Sequence, residues 1–305
     1  MNEEKNRPFL EDGEKQETMQ NPDGAGSLNA EGIPGIAGFP DGEGIRNMLR
    51  PIRCFLLDMD GTFYLGNRLI DGSLDFLEAL RRTGRTARFL TNNSSRSAAA
   101  YTRKLEGMGV PEEYRDVISS GHAAAHYCLQ HFPEGRCFLM GNPDLRAELE
   151  GMGLNIQDED PDYVLLAFDT TLQYDRLCMA CDLIRNGLPY IATHPDINCP
   201  TETGFIPDVG SFMALIEKST GRDPDVILGK PYQGIVDEAL ARTGLTKPEL
   251  AMVGDRLYTD VATGVRHGLT GILVLSGEAT MKDVETSDVH PDLIFNRLSD
   301  MIPYL

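Results

Sequence analysis

The chain has 305 residues and a formal net charge of −19, from 28 Lys and Arg against 47 Asp and Glu. That balance excludes a nucleic-acid or anionic-membrane surface, which needs basic patches, so any phosphate site must be made locally positive by a metal ion, a lysine and backbone N–H groups. With 41% hydrophobic residues the chain can bury the core of one large or two medium domains. No apolar run approaches the ~20 residues of a membrane span, and the first five residues lack a signal-peptide pattern, so a cytoplasmic protein is expected.

Residues 1–50, rich in Gly, Pro, Asn, Asp and Glu with few apolar residues, read as a disordered acidic tail. Residues 51–60 read as the first core strand, with the apolar run Cys54–Leu57 at its centre, and 61–72 as a loop or small hairpin. An amphipathic helix follows over Ser73–Thr83, with Leu74, Leu77 and Leu80 on one face and Gly84 after it. Thr86–Leu90 is the second strand. Ser94 or Ser95 can cap the next helix, which runs to about Gly107. Val117–Ser119 is a strand and His122–His131 a helix.

This alternation of strand and helix implies a parallel sheet. A second α/β set comes next: strand Arg136–Met140, helix Asp144–Met152, strand Tyr163–Phe168, helix Tyr174–Arg185 and strand Pro189–Thr193. None of these strands ends in a carboxylate or lysine signature. Residues 133–208 therefore read as a cap inserted into a Rossmann-like core formed by 51–132 and 209–305. The core resumes with helix Ser211–Thr220, strand Val226–Leu228, helix Tyr232–Thr243, strand Leu250–Val253, helix Val261–His267 and strands Gly271–Leu275 and Leu293–Phe295. The six cysteines show no disulfide framework. Cys178 and Cys181 fall inside a helical pattern with no partner Cys or His pair, so they read as a helix face rather than a zinc or redox site.

The chemistry concentrates at strand ends. Cys54–Leu57 runs into Asp58 and Asp60, and Gly61–Thr62 then break the extended pattern. Open α/β sheets bind ligands at the carboxyl ends of their strands. Buried carboxylates there call for a counter-ion. A turn between the two acids lets Asp58 attack while Asp60 handles protons. Three further segments follow in order: Thr91-Asn-Asn-Ser94, Gly229-Lys-Pro231 and Gly254-Asp-Arg-Leu-Tyr-Thr-Asp260. Together with Asp58-Met-Asp-Gly-Thr62 they resemble the four motifs of the haloacid dehalogenase superfamily of aspartate-nucleophile phosphatases. The finer resemblance is to the type IIA branch, the NagD-like and p-nitrophenylphosphatase-like hydrolases, over roughly residues 52–300.

The resemblance implies a phosphatase of small phosphate monoesters (nucleotide, sugar or glycerol phosphate, phosphoglycolate or pyridoxal phosphate) working through an aspartyl-phosphate. Asp58 is then the nucleophile. Asp60 is the general acid toward the leaving oxygen and afterwards the base toward water. Asp255, the Asp58 carboxylate and the Asp60 main-chain carbonyl form a hard oxygen set that suits Mg²⁺, with Asp260 supporting the metal shell or Lys230. Thr91 and Asn92, just before a helix N-terminus, face the phosphoryl oxygens. Asn93 lies by the catalytic aspartate, and Lys230 pairs with Asp58 and the phosphoryl group as a point charge. The loop His194–Gly204 is a specificity loop with His194 and Asp196 as its contacts. The partner is a small phosphorylated metabolite, and the resemblance admits a homodimer through the cap. The competing readings are a catalytically silent metabolite- or partner-binding relative, a dehalogenase, which needs no acid at Asp60, and a mutase, whose cap would follow the first motif.

Overall fold

The computed structural model describes residues 40–201 and 204–305. Its strands in chain order are β1 (Cys54–Leu57), β2 (Tyr64–Leu65), β3 (Arg68–Leu69), β4 (Thr86–Thr91), β5 (Val117–Ser119), β6 (Arg136–Met140), β7 (Asn155–Ile156), β8 (Tyr163–Leu166), β9 (Tyr190–Ala192), β10 (Asn198–Thr201), β11 (Gly204–Pro207), β12 (Val226–Ile227), β13 (Leu250–Gly254), β14 (Thr270–Val274) and β15 (Leu293–Phe295). The helices are α1 (Gly42–Leu49), α2 (Ser73–Arg82), α3 (Ala98–Gly107), α4 (Ser120–His131), α5 (Pro143–Gly151), α6 (Tyr174–Arg185), α7 (Val209–Thr220), α8 (Gln233–Thr243), α9 (Ala262–His267) and α10 (Met281–Thr286).

β1 is buried along its whole length. It lies between β13 and β4, parallel to both, with Leu57 opposite Val253 on one side and Phe89 on the other. A strand covered on both faces needs no polar side, which is why its sequence is a continuous apolar run. The core sheet has the order β15-β14-β13-β1-β4-β5, all parallel. From β1 the chain builds outward through β4 and β5, then returns to build the other side through β13, β14 and β15. The crevice beyond the carboxyl ends of β1, β4 and β13 is therefore the topological switch point, where such sheets hold ligands.

A second parallel sheet, β12-β9-β8-β6-β7, stands beside the first. The two share an apolar cluster in which Leu56, Leu90 and Ile118 of the core sheet and Leu139, Leu165 and Ile191 of the second sheet are joined through the small residues Ala123–Ala125 of α4. Alanine on α4 lets both sheets approach that helix closely. This is an α/β protein with a parallel-sheet core and an α/β cap, the expected class.

Several boundaries differ from the sequence reading. The unit inserted in the core does not end at residue 208: β12 pairs with β9 in the second sheet, with Val226 opposite Ile191, and α7 packs on α6. The second sheet thus takes its strands from residues 136–227, and Val226–Ile227 does not belong to the core. Its two residues carry no signal that says which sheet they join. The first strand is shorter than 51–60, because Asp58 onward turns. The helix after the Thr91–Ser95 loop is capped by Ser97, whose Oγ accepts from Ala100 N, and not by Ser94 or Ser95. The expected specificity loop His194–Gly204 is not loop throughout: it carries the first strand of an antiparallel hairpin, β10–β11, with Asn198 opposite Pro207.

The expected tail is corrected in its last part; its residues 1–39 lie outside the described residues. Residues 42–49 form α1, started by Asp41, whose Oδ1 accepts from Gly44 N at 2.8 Å. Ile45 and Leu49 are buried, and Arg46 lies over the Tyr304 ring. With only three apolar anchors in eight residues, Ile45, Met48 and Leu49, α1 is a short helix held by packing on the chain's end. Burying one such side chain contributes about 1.5–3 kcal/mol. A chain beginning at Pro51 is therefore expected to melt several degrees below one beginning at Pro40, measured by calorimetry; equal melting temperatures would contradict this packing.

Candidate active site

Each segment that meets at the switch point is placed by a different strand. Asp58 directly follows β1, and its N–H donates to Val253 O at 2.9 Å, which keeps it in register with β13. The chain then turns: Phe63 and Tyr64 both donate to Met59 O, and Gly61 N donates to Tyr64 O. Gly61 has φ +89°, a conformation that favours glycine, and a Cβ there would stand 2.3 Å from Asp255 Oδ2. The turn sends Asp60 to the mouth of the crevice at the base of the β2–β3 hairpin. Its Oδ1 accepts from Gly66 N at 3.5 Å. Partial desolvation raises its carboxyl above the usual range, opposed by that N–H and by the Lys104 charge.

Lys230 is the centre of the arrangement and is almost fully buried. Its Nζ lies 2.5 Å from Asp58 Oδ1 and 2.6 Å from Asp260 Oδ1. Burial works against the ammonium, but the two carboxylates outweigh it and hold the charge. Asp260, wholly buried, also accepts from Arg256 N at 3.1 Å. It enters the site on a single π-helical turn, Leu257–Val261, a feature often found at functional sites.

Asp255, at the end of β13, offers a carboxylate whose Oδ2 accepts from Glu278 N at 2.8 Å. Thr62 Oγ1 reaches its other oxygen at 3.4 Å. Burial and the neighbouring Asp58 charge push the Asp255 carboxyl up to about 6. Asp58, Asp255 and Asp260 each present an oxygen within 4.8 Å of the others. Three carboxylates without His or thiolate suit a hard, oxygen-preferring divalent ion, so the donor set fits one. Asp260 is already engaged by Lys230, and the Asp60 side chain is not in this group.

The Thr91–Ser95 loop after β4 is tied to Lys230 through Asn92. Asn92 Oδ1 accepts from Lys230 N at 2.7 Å, and its Nδ2 donates to Lys230 O and to Asp196 Oδ1, each at 3.0 Å. Thr91 Oγ1 accepts from Asn93 N at 3.2 Å. Two expectations are corrected here. Asn93 turns toward its own loop and the cap, its Oδ1 accepting from Ser95 N and Oγ and its Nδ2 reaching Cys199 Sγ at 3.8 Å. His194 is wholly buried and is no substrate contact. Its Nε2 meets Asp208 Oδ1 at 2.9 Å, and its Nδ1 meets Thr193 Oγ1 at 3.0 Å and Ser120 Oγ at 3.3 Å. Ser120 also donates to Asn92 O. The His194 ring thus joins cap to core beneath the Thr91–Ser95 loop, while Asp196 alone of the pair reaches Asn92.

Sequence reasoning missed the segment after β14. Ser276 Oγ donates to Gly61 O at 2.7 Å, Ala279 N to Asp255 O at 3.0 Å, and a Cβ on Gly277 would fall 2.1 Å from Asp255 Oδ2. Gly277 just past the end of a predicted core strand was the available signal. Asp208 and Ser120 carried no signal, because their partners are distant in sequence.

A parallel α/β core whose switch point gathers two aspartates after the first strand, a buried lysine and a further aspartate pair defines the class of aspartate-based hydrolases. Family models of the haloacid dehalogenase-like hydrolases match residues 55–155 and 227–301. An acid sugar phosphatase of Staphylococcus aureus is 35% identical over 258 residues, 84% of this chain and 99% of its own length. The 4-nitrophenylphosphatase of Thermotoga maritima is 49% identical with a TM-score of 0.80, the match covering 84% of this chain and 98% of that one. NagD of E. coli K-12 is 30% identical with a TM-score of 0.74, covering 82% and 98%. The chain belongs to the haloacid dehalogenase-like hydrolases, in the type IIA, NagD-like branch of phosphate-monoester hydrolases.

Proposed function

We propose that this protein is a Mg²⁺-dependent phosphatase of small phosphate monoesters, of the sugar, glycerol, phosphoglycolate, nucleotide or pyridoxal phosphate type, acting through an aspartyl-phosphate on Asp58. The observation that carries the reading is the Lys230 ammonium seated between Asp58 and Asp260, beside the Asp255 carboxylate. Such a cluster can neutralise an incoming phosphoryl group in a chain whose net charge would repel it.

Asp58 attacks phosphorus, and the bond to the leaving oxygen breaks as the Asp60 carboxyl delivers its proton to that oxygen. Water then attacks the phosphorus of the acyl phosphate, Asp60 takes the proton, and inorganic phosphate leaves with Asp58 restored. Lys230 keeps the Asp58 carboxylate aimed and balances the charge of the phosphoryl oxygens. Asn92 holds the Lys230 backbone on both its N–H and its carbonyl. The Thr91–Asn92 loop supplies polar groups to the same oxygens. Asp58 and Asp255 would hold Mg²⁺ with the Asp60 carbonyl, and bound Mg²⁺ supplies charge neutralisation and orientation for the phosphoryl group.

The test is phosphate release across a panel of phosphorylated metabolites, with and without chelator. Exhaustive treatment with EDTA is expected to abolish turnover and Mg²⁺ to restore it. Full turnover after chelation would contradict the metal assignment.

A further inference from the structure

One buried titratable pair has no part in the chemistry above. His194 stands two residues past β9 and Asp208 directly before α7, and both are buried. Asp208 starts that helix, its Oδ1 accepting from Val209 N at 2.7 Å as well as meeting His194 Nε2 at 2.9 Å. A carboxylate can only accept, so Nε2 carries the hydrogen that faces it. Nδ1 is thereby turned toward the hydroxyls of Thr193, at 3.0 Å, and Ser120, at 3.3 Å.

Three segments close on one point beside this ring. Gly229, the residue before Lys230, has no room for a side chain: a Cβ on it would stand 2.6 Å from Asn92 Oδ1, 2.6 Å from His194 Cβ and 2.8 Å from Thr193 O. His194 thus packs directly against the backbone that presents Lys230. From its Nδ1 the contacts continue to Ser120 Oγ, which donates to Asn92 O. Asn92 in turn brackets the Lys230 backbone, Oδ1 to N at 2.7 Å and Nδ2 to O at 3.0 Å. Asp196, two residues past His194, accepts from Asn92 Nδ2 at 3.0 Å. The stretch His194–Asp196 therefore grips Asn92 twice, at its carbonyl through Ser120 and at its amide directly. Away from water such a chain of hydrogen bonds holds its geometry firmly.

We propose that His194, with Asp208 behind it, is a positioning residue for phosphoryl transfer: it fixes Ser120 and, through it, the Asn92 clamp that aims Lys230 at Asp58. The inference rests on the phosphatase reading above and deepens it, because it gives the cap a share in aligning the catalytic groups of the core.

Two replacements of His194 divide its bonds. His194→Gln keeps a donor at the Nε2 position toward Asp208 but loses the nitrogen that faces Thr193 and Ser120. His194→Asn keeps a polar atom at the Nδ1 position and leaves Asp208 without its histidine partner. The experiment measures kcat and KM for p-nitrophenyl phosphate with Mg²⁺, beside melting temperatures, on the full chain. His194→Gln is expected to be the more stable of the two and the slower, with kcat about ten- to a hundredfold below wild type and KM little changed. His194→Asn is expected to melt lower, because it strands a buried carboxylate, and to turn over faster than His194→Gln. A residue that only held the cap in place would make activity follow stability. Ser120→Ala, which leaves the His194–Asp208 pair intact, is expected to lower kcat to a similar degree. Combined with His194→Gln it is expected to lower kcat no further, since both changes cut the same link. Turnover that follows melting temperature in the two His194 variants, wild-type kcat in Ser120→Ala, or losses that multiply in the double variant would overturn the positioning role and leave the phosphatase reading intact. Hydrolysis by the wild type of neither p-nitrophenyl phosphate nor any phosphorylated metabolite would overturn both.

Discussion

Asp58→Asn is expected to lower kcat for phosphate release by about four orders of magnitude or more, roughly 5.5 kcal/mol of transition-state stabilisation. An amide cannot form the acyl phosphate, so the two-step route is lost and not merely slowed. The fold is expected to survive, because Lys230 keeps its 2.6 Å partner Asp260 and Asp58 keeps its backbone bond to Val253. Steady-state assay beside a melting curve checks both halves. A variant that melts near the wild-type temperature and turns over within tenfold of it would remove Asp58 from the role of nucleophile.

The second large effect falls on stability and activity together. Lys230→Met leaves Asp58 and the wholly buried Asp260 facing one another without a cation. Removing one member of a buried ion pair costs about 3–5 kcal/mol, because the remaining charge is stranded. Burial already drives the Asp260 carboxyl upward, so without the ammonium this group takes up a proton and part of the cost is met that way. Combining Lys230→Met with Asp260→Asn should therefore recover much of the lost stability, since the wholly buried carboxylate is gone and only the partly exposed Asp58 is left next to the new methionine. It should recover none of the turnover, because the cation that balances the phosphoryl oxygens is still missing. Denaturant titration of the single and double variants checks the first statement, and phosphate release the second. If the double variant is no more stable than Lys230→Met alone, Lys230 and Asp260 are not energetically coupled in the manner of a buried pair.

The core sheet was readable because burial on both faces leaves runs such as Cys54–Leu57 and Leu250–Val253 with no polar residue, and each is followed within two residues by a carboxylate of the proposed site, Asp58 or Asp255. Side chains at the ends of paired core strands are placed by register, so the convergence of Asp58 and Asp255 could be argued from local sequence, whereas Lys230 follows a strand of the second sheet and is held by Asn92. What escaped depended on contacts between distant segments. Val226–Ile227 has no feature that assigns it to one sheet, and only its pairing with β9 moves it into the cap. α1 is a helix because Ile45 and Leu49 find a surface near the chain's end. His194 looked like a loop histidine facing substrate; Asp208, 14 residues on, and Ser120, 74 residues back, close around it instead. The turn Ser276–Glu278 acts through backbone N–H groups and a missing Cβ, which leave almost no mark in residue type.

The most direct test of the central claim is a rapid quench of the Asp60→Asn variant turning over p-nitrophenyl phosphate, followed by peptide mapping for acid-stable, hydroxylamine-sensitive phosphate. The nitrophenolate leaves without a proton, so this variant can still load the enzyme, but it lacks the base that clears it. The account predicts a phosphoryl group accumulating on the peptide that contains Asp58. Nitrophenol release with no phosphorylated peptide at any quench time, or label on a different carboxylate, would contradict it.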